Sequence, residues 1–314
     1  STLMIDALLE NSNNNNDDND VSDATSKKKN TEQHEQQKYC FTEKLLLEDE
    51  VVIRNIQELE NISNSTNPED ALQSVITGKS KSALFWFANG EEKENNLEWC
   101  EGVTLPAGSY VYPGSFNPLH KGHIQLVRAA LDCNKDNNGS SSIDEQQIHP
   151  PLVFEIAAVN ADKADIDLTE ILLRTRKILS NPLLKDYGLS NVAVCITSFP
   201  LFVQKTELFP ACNFIMGSDT MIRLLNPQYY GDKNALQKTK LSENQIISSQ
   251  KYSLIAALAS MQCYGIKFIV GGRREKDGKF LSCNTILDQE SFQVIPPSLK
   301  ELFVEIKESD FRVD

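Results

Sequence analysis

The chain has 314 residues, a formal net charge of −13 and 40% hydrophobic residues, which is enough for a substantial core. Such an acidic chain is not expected to bind a nucleic-acid backbone, because that partner calls for a basic surface. No apolar run approaches the length of a membrane-spanning helix, and the N-terminus lacks the charged-then-apolar layout of a signal peptide. We therefore predict no nucleic-acid or membrane partner, and we expect a locally basic site to capture any anionic substrate.

The N-terminal third divides into a polar tail and a short extension. Residues 11–38 are rich in Asn, Asp, Ser, Gln and Lys without apolar periodicity, so the tail 1–38 is predicted to be disordered. Residues 39–59 carry apolar side chains at mixed three and four spacing, which indicates a helix. "SALFWFANG" is a short apolar run ending in Asn-Gly, typical of a strand entering a turn. We interpret residues 39–108 as a small helical and strand extension.

From residue 109 onward, apolar strand segments alternate with helical ones. The strand segments are "GSYVYPG", "PLVFEIAAVN", "NVAVCITS", "NFIMG" and "IKFIVGG". One intervening helix is predicted to be capped by Asp167 and another to end at Gly265. This order predicts an α/β fold, a Rossmann-like doubly wound parallel sheet of about five strands over residues 109–314. Ligands bind such sheets at the carboxyl ends of the strands.

The stretch "YPGSFNPLHKGH" follows the first of these strands and holds two of the four histidines. Gly114 lets the backbone turn and a phosphate approach, while Pro118 fixes the next bend. His120 and His123 can face the same side of a helix start, where unpaired amides favour an anion. Paired imidazoles there suit phosphoryl transfer, because they donate hydrogen bonds to oxygens whose charge grows during reaction. The pair could also be half of a metal site, but no third ligand follows at suitable spacing, so we predict no protein-bound metal.

"GSFNPLHKGH" resembles the His-x-Gly-His signature of the nucleotidylyltransferase superfamily. The Ser-Phe-Asn-Pro form with His120 is most similar to nicotinamide and nicotinate mononucleotide adenylyltransferases. The resemblance extends over residues 110–314 and implies transfer of AMP from ATP to a mononucleotide phosphate such as nicotinamide mononucleotide, with release of pyrophosphate. It places the chain in NAD biosynthesis and implies Mg²⁺ as the partner of ATP. It also implies that His120 and His123 are catalytic and that Gly114, Ser115 and Phe116 contact the nucleotide.

Later segments extend the resemblance. Lys163 in "NADKAD" matches a basic residue that reaches the substrate phosphate in relatives. Gly217 and Asp219 in "FIMGSDT" match a Gly-x-Asp that contacts the nucleotide, although Asp219 could also cap the following helix. Arg273 in "FIVGGRREKDG" matches an arginine beside the nucleotide, where a guanidinium can grip phosphate oxygens. Three further arginines are interpreted as surface or helix-face residues: Arg274, Arg174 and Arg176.

One expected element has no match. The superfamily has a second signature, Ile-Ser-Ser-Thr-x-x-Arg, that follows the fifth strand and binds the triphosphate, and nothing after Gly272 fits it. Either a truncated chain or one that has lost the element would give this pattern. Two alternatives stay open: a cytidylyltransferase acting on a phosphorylated alcohol, and a non-catalytic nucleotide-binding protein of the same fold. Some relatives carry an upstream domain similar to the competence-damage-inducible family, of which residues 39–108 could be a remnant.

The seven cysteines are scattered singly, without a Cys-x-x-Cys pair or a short-spaced Cys/His cluster. Cys195 lies within the apolar run "VAVCIT", where cysteine behaves as a small buried hydrophobe. This usage is typical of a reducing compartment and predicts an intracellular protein, cytoplasmic or nuclear. The acceptor is not predicted, because base recognition depends on the shape of the pocket.

Overall fold

The structure, a computed structural model, describes residues 67–87, 97–102, 104–137, 150–159, 167–231 and 242–311. The predicted tail 1–38 and the predicted helix 39–59 lie outside the described residues. In chain order the strands are β1 (Ser82–Phe87), β2 (Leu97–Glu101), β3 (Tyr110–Pro113), β4 (Leu152–Ala157), β5 (Val192–Thr197), β6 (Asn213–Gly217), β7 (Lys267–Gly271), β8 (Arg273–Arg274), β9 (Phe280–Leu281) and β10 (Phe303–Ile306). The α-helices are α1 (Pro68–Ile76), α2 (Lys121–Asn137), α3 (Leu168–Leu179), α4 (Pro182–Asp186), α5 (Phe202–Leu208), α6 (Ser218–Leu224), α7 (Glu243–Cys263), α8 (Cys283–Leu287) and α9 (Pro297–Lys300).

The centre of the fold is an eight-stranded sheet with the order β10-β7-β6-β3-β4-β5-β1-β2. The strands from β10 to β5 run parallel, while β1 is antiparallel to both β5 and β2. The α/β class and the mostly parallel sheet predicted from the sequence are confirmed. The strand number is corrected from about five to eight.

Three strands account for the difference. The sequence predicts β1 as a strand but assigns it to the extension 39–108, whereas β1 and β2 continue the sheet beyond β5. β2 and β10 mix polar with apolar residues and are only partly buried, so neither shows the continuous apolar run of an inner strand. Both lie at the sheet edges, where such mixed sequences are common.

Helices begin and end where local chemistry favours it. Asp167 is the N-cap of α3, as predicted, and its Oδ2 accepts a hydrogen bond from the Thr169 amide at 3.1 Å. The long helix α7 stops just before Gly265, also as predicted, where a φ of +69° reverses the chain. Within the described residues, no helix is both long and apolar enough to cross a bilayer.

Apolar side chains cover both faces of the sheet. Phe214 and Phe268 face a core shared with α5 to α8, and their sequence neighbours Ile215 and Ile269 face a second core shared with α1, α2 and α3. All four are fully buried, which contributes about 1.5–3 kcal/mol for each side chain. The chain winds outward from β3 to β4 and β5, then returns to β6 and β7 on the other side. This reversal beside β3 is where open α/β sheets form a crevice.

Candidate active site

The loop between β3 and α2 turns sharply at the carboxyl end of β3. The Gly114 amide donates a hydrogen bond to the Glu155 carbonyl at 2.9 Å, which ties the start of the loop to β4. Phe116 has a φ of +43°, a conformation that bulky residues rarely adopt. A Cβ atom on Gly114 would lie 2.6 Å from Cζ of Phe116. Glycine is therefore required at this position, because the Phe116 ring folds back against it.

The Phe116 ring holds the loop in place. It is 4% exposed and makes edge-to-face contacts with Tyr112 at 5.2 Å, Phe154 at 5.1 Å and His123 at 5.4 Å between centroids. Aromatic pairs of this kind contribute about 0.5–1.5 kcal/mol each beyond their burial. These contacts offset the cost of the unusual backbone at Phe116, and they fix one side of the His123 ring.

The two histidines of the loop form one stacked unit. Their ring centroids are 3.7 Å apart with an interplanar angle of 28°. The His120 amide donates to Nδ1 of His123 at 3.2 Å, and the His123 amide donates to the His120 carbonyl at 3.0 Å. Because Nδ1 of His123 accepts a hydrogen bond, the proton of the neutral ring lies on Nε2.

The electrostatics of His123 keep its ring neutral near pH 7. Burial, and secondarily the neighbouring His120, lower the pKa of His123 from 6.5 to about 4. Burial raises the pKa of Tyr112, whose ring lies 6.0 Å from that of His123. The loop therefore presents a neutral imidazole with one N–H donor.

Two helices brace the loop from outside. Nη1 of Arg174, on α3, donates to the Ser115 carbonyl at 3.3 Å, and its Nε pairs with Glu170 at 2.7 Å. Nδ2 of Asn181, the N-cap of α4, donates to the Leu119 carbonyl at 3.4 Å. Arg174 lies on a helix face, as interpreted from the sequence, and the folded chain in addition brings that face against the loop. Helical periodicity alone gives no signal for this contact.

The junction between β6 and α6 lies at the carboxyl end of the strand next to β3 and forms a second side of the site. Gly217 is the N-cap of α6, so the alternative role of Asp219 as that cap is corrected. Oδ2 of Asp219 instead accepts from Nη1 of Arg273 at 2.6 Å, and the two side chains are 59% and 46% exposed. Arg274 points elsewhere and pairs with Glu308 at 2.8 Å, in keeping with a surface role.

A buried ion pair lies between β4 and α5. Nζ of Lys205 donates to Oε2 of Glu155 at 2.6 Å, and the Thr197 hydroxyl donates to Oε1 at the same distance. Glu155 is fully buried and the Lys205 side chain is 7% exposed. Sequence reasoning missed both residues. The signal was present, since a carboxylate within the apolar strand "LVFEIA", which is buried at five of its six residues, needs a partner.

A cleft of about 450 Å³ opens between these walls at the reversal point of the sheet. Its predicted lining residues are brought together from the β3–α2 loop and the β6–α6 junction: Gly114, Ser115, Phe116, His123, Gly217 and Asp219. His120 and Arg273 each contact a residue that lines the cleft. His120 stacks on the ring of His123, and Arg273 pairs with the carboxylate of Asp219. Lys163 lies outside the described residues, so its predicted role stays a prediction.

The cleft has a polar part and an apolar part. Lys205 and Arg223 line it together with Asp219 and His123, and the charge of Lys205 is balanced by the buried Glu155 behind it. Thr220 and a set of apolar and aromatic groups complete the lining; that set is Tyr112, Pro113, Ile156, Ala157, Pro200, Leu201, Phe202, Leu224, Tyr229 and Tyr230. Among the described residues, no three His, Cys, Asp or Glu side chains are grouped so that they could hold a metal ion. The arrangement suits an anionic group attached to a flat apolar body.

Comparison of this chain with models of protein families, with curated proteins and with solved structures finds no match. The motif, the cleft and the side chains described above are therefore the features of this chain that bear on its function.

Proposed function

We propose that this protein is a nucleotidyltransferase that transfers AMP from ATP to the phosphate of a mononucleotide, such as nicotinamide mononucleotide, and releases pyrophosphate. The observation that carries the proposal is the stacked His120–His123 pair, held in a tight glycine loop beside the cleft at the reversal point of a parallel sheet. An imidazole donor fixed beside an anion-sized crevice is an arrangement that phosphoryl transfer uses.

In the proposed reaction an oxygen of the acceptor phosphate attacks the α-phosphorus of ATP. The bond from that phosphorus to the bridging oxygen breaks, and pyrophosphate leaves with the electron pair. His123 donates its Nε2 proton in a hydrogen bond to phosphate oxygens, and His120 supports the same ring by stacking. The protein's side chains orient the two substrates and stabilise the negative charge on the phosphate oxygens. We expect no covalent enzyme intermediate.

Other residues have binding roles in this proposal. Gly217, whose missing side chain leaves open space, lets a phosphate group approach the backbone; Gly114 lets the Phe116 ring fold back, and Ser115 and Phe116 line the nucleotide side of the loop. Asp219, held by Arg273, contacts the nucleotide, while Lys163 is proposed to reach a substrate phosphate. Magnesium would enter with ATP, ligated by phosphate oxygens, and would supply neutralisation of the triphosphate charge.

The test is a matrix of donors and acceptors assayed for pyrophosphate release. Purified full chain is incubated with Mg²⁺ and either ATP or CTP, each with nicotinamide mononucleotide, nicotinate mononucleotide and a phosphorylated alcohol. We expect release with ATP and a mononucleotide, with the matching dinucleotide identified by mass spectrometry. Release with CTP and the phosphorylated alcohol alone would favour the cytidylyltransferase. Saturable ATP binding without release in any combination would favour the non-catalytic alternative.

A further inference from the structure

Among the described residues, the Lys205 ammonium makes one of the three hydrogen bonds that it can donate. An ammonium group has three N–H donors, and Glu155 accepts one of them at 2.6 Å. Within the part of the chain that the structure describes, Nζ has no second hydrogen-bond acceptor; the face of the Phe202 ring lies 5.7 Å away at the centroid, and the buried Cys195 thiol is close enough to interact electrostatically with the pair. Lys205 and Phe202 both line the cleft. The remaining donors are therefore available to a group that enters the cleft.

Stability alone does not explain this buried pair. Removing two charges from water is costly, and replacing a buried ion pair by apolar residues is often neutral or stabilising. Glu155 is nevertheless held on both oxygens, by Lys205 and Thr197, so the position of Nζ is fixed from behind. Such support is what a binding group needs in order to present a donor in one direction.

The surroundings of Lys205 indicate what the donor would meet. The part of the cleft lining that comes from the end of β4 and from the segment just before α5 is apolar, with Ile156, Ala157, Pro200 and Leu201. A flat ring that carries an oxygen fits this part of the cleft, because the ring covers apolar surface while the oxygen reaches Nζ. The phosphate of the same ligand would then lie toward the histidine loop.

The charge of the pair decides which oxygen is favoured. Lys205 and Glu155 together are neutral, so a carbonyl oxygen can accept from Nζ without adding net charge to the cleft wall. A carboxylate would lose its hydration and would also meet the negative charge of Glu155 behind the ammonium. A neutral amide therefore keeps its full hydrogen bond at a lower desolvation cost.

We infer that Lys205, fixed by Glu155, is a specificity-determining residue that donates a hydrogen bond to an uncharged ring-borne carbonyl of the acceptor. This inference rests on the proposed function, and within it selects a mononucleotide whose base carries a carboxamide over one whose base carries a carboxylate. It assigns to Lys205 a role that is separate from the phosphate chemistry of the histidine pair.

The experiment compares nicotinamide mononucleotide with nicotinate mononucleotide as acceptors for the full chain with Mg-ATP. Wild type should prefer the carboxamide by about tenfold or more in kcat/KM. Lys205→Met/Glu155→Gln, which removes both charges and leaves no buried unpaired ion, should reduce that preference to about threefold or less, mainly through KM. Glu155→Gln alone should move the preference toward the carboxylate, because the positive charge of Lys205 is then no longer balanced by a carboxylate of the protein. Lys185→Met, an exposed lysine on α4, is the matched control and should keep the wild-type ratio.

The outcomes separate this inference from the proposed function. Near-ultraviolet circular dichroism checks that each variant is folded. A folded double variant with the wild-type ratio and KM, or a wild type that prefers the carboxylate, overturns the inference while leaving the transferase in place. If no acceptor reacts, the proposed function fails, and calorimetric titration of the two mononucleotides then tests Lys205. If wild type binds the carboxamide mononucleotide more tightly and the double variant loses that preference, the inference is supported. If wild type binds the two mononucleotides equally, or binds neither, the inference is overturned.

Discussion

The rings of His120 and His123 stack 3.7 Å apart, and the His120 amide donates to Nδ1 of His123. The two histidines are therefore one structural unit, in which His120 fixes the tautomer and orientation of the ring that lines the cleft. Phe116 also contacts that ring, edge to face, with centroids 5.4 Å apart. A local motif of eight residues, 116–123, thus positions its own N–H donor.

The lowered pKa of His123 predicts acid sensitivity of the fold. The unfolded ring titrates at 6.5 and the folded ring at about 4, so the unfolded state binds more protons between these values. The contribution of His123 to stability is full above pH 6.5 and is lost as the pH falls toward 4. His123→Gln, which does not titrate, should lose less stability than wild type over this window. Urea unfolding at a series of pH values measures the difference, and parallel curves for both proteins would contradict it.

Gly114→Ala should disturb the histidine loop. The new Cβ would lie 2.6 Å from Cζ of Phe116, and that ring is held by Tyr112 and Phe154. We expect the free energy of unfolding to fall by about 1–3 kcal/mol, with a loss of transferase activity. Gly114→Ala/Phe116→Leu makes room for the methyl group, so its loss of stability should be smaller than the sum of the two single losses. Strictly additive losses would show that the predicted clash is relieved elsewhere.

Arg174→Met should weaken turnover without unfolding the protein. The variant removes the hydrogen bond from Nη1 to the Ser115 carbonyl, so the loop before His120 loses an external brace. A bond of this kind corresponds to about a twofold to tenfold change in kcat. Arg176→Met, two residues along the same helix, is the matched control. Equal kinetics for the two variants would argue against a positioning role for Arg174.

Arg273→Ala should weaken ATP binding while changing thermal stability little. Its ion pair with Asp219 is about half exposed, and such pairs contribute about 0–1 kcal/mol to folding. Arg274→Ala breaks a comparable exposed pair with Glu308, so it controls for the loss of a surface charge. Calorimetric titration with Mg-ATP compares the two variants. Equal affinities would remove Arg273 from the proposed nucleotide site.

The sequence predicts much of the central sheet because inner parallel strands are continuous apolar runs. All five predicted core strands are present, and Asp167 and Gly265 mark helix ends as their chemistry requires. The edge strands β2 and β10 could not be recognised in this way, because each presents polar side chains to solvent and its pairing depends on distant partners.

In the candidate site, too, the sequence predicts the local motifs but not the contacts between distant residues. The histidine loop and the β6–α6 junction are short local motifs, and both line the cleft. The contact of Arg174 with Ser115 joins residues 59 positions apart, and that of Lys205 with Glu155 joins residues 50 positions apart. No local pattern encodes such pairs, although a charged residue in an apolar segment indicates that a partner exists.

The turnover of His123→Ala compared with wild type, with Mg-ATP and nicotinamide mononucleotide as substrates, decides whether the histidine pair acts in catalysis. Circular dichroism and the unfolding midpoint establish that the variant is folded. We expect dinucleotide formation and pyrophosphate release to fall by about a hundredfold or more, because a fixed donor to the reacting phosphate is lost. A folded His123→Ala protein with wild-type turnover would contradict the proposed role of the histidine pair.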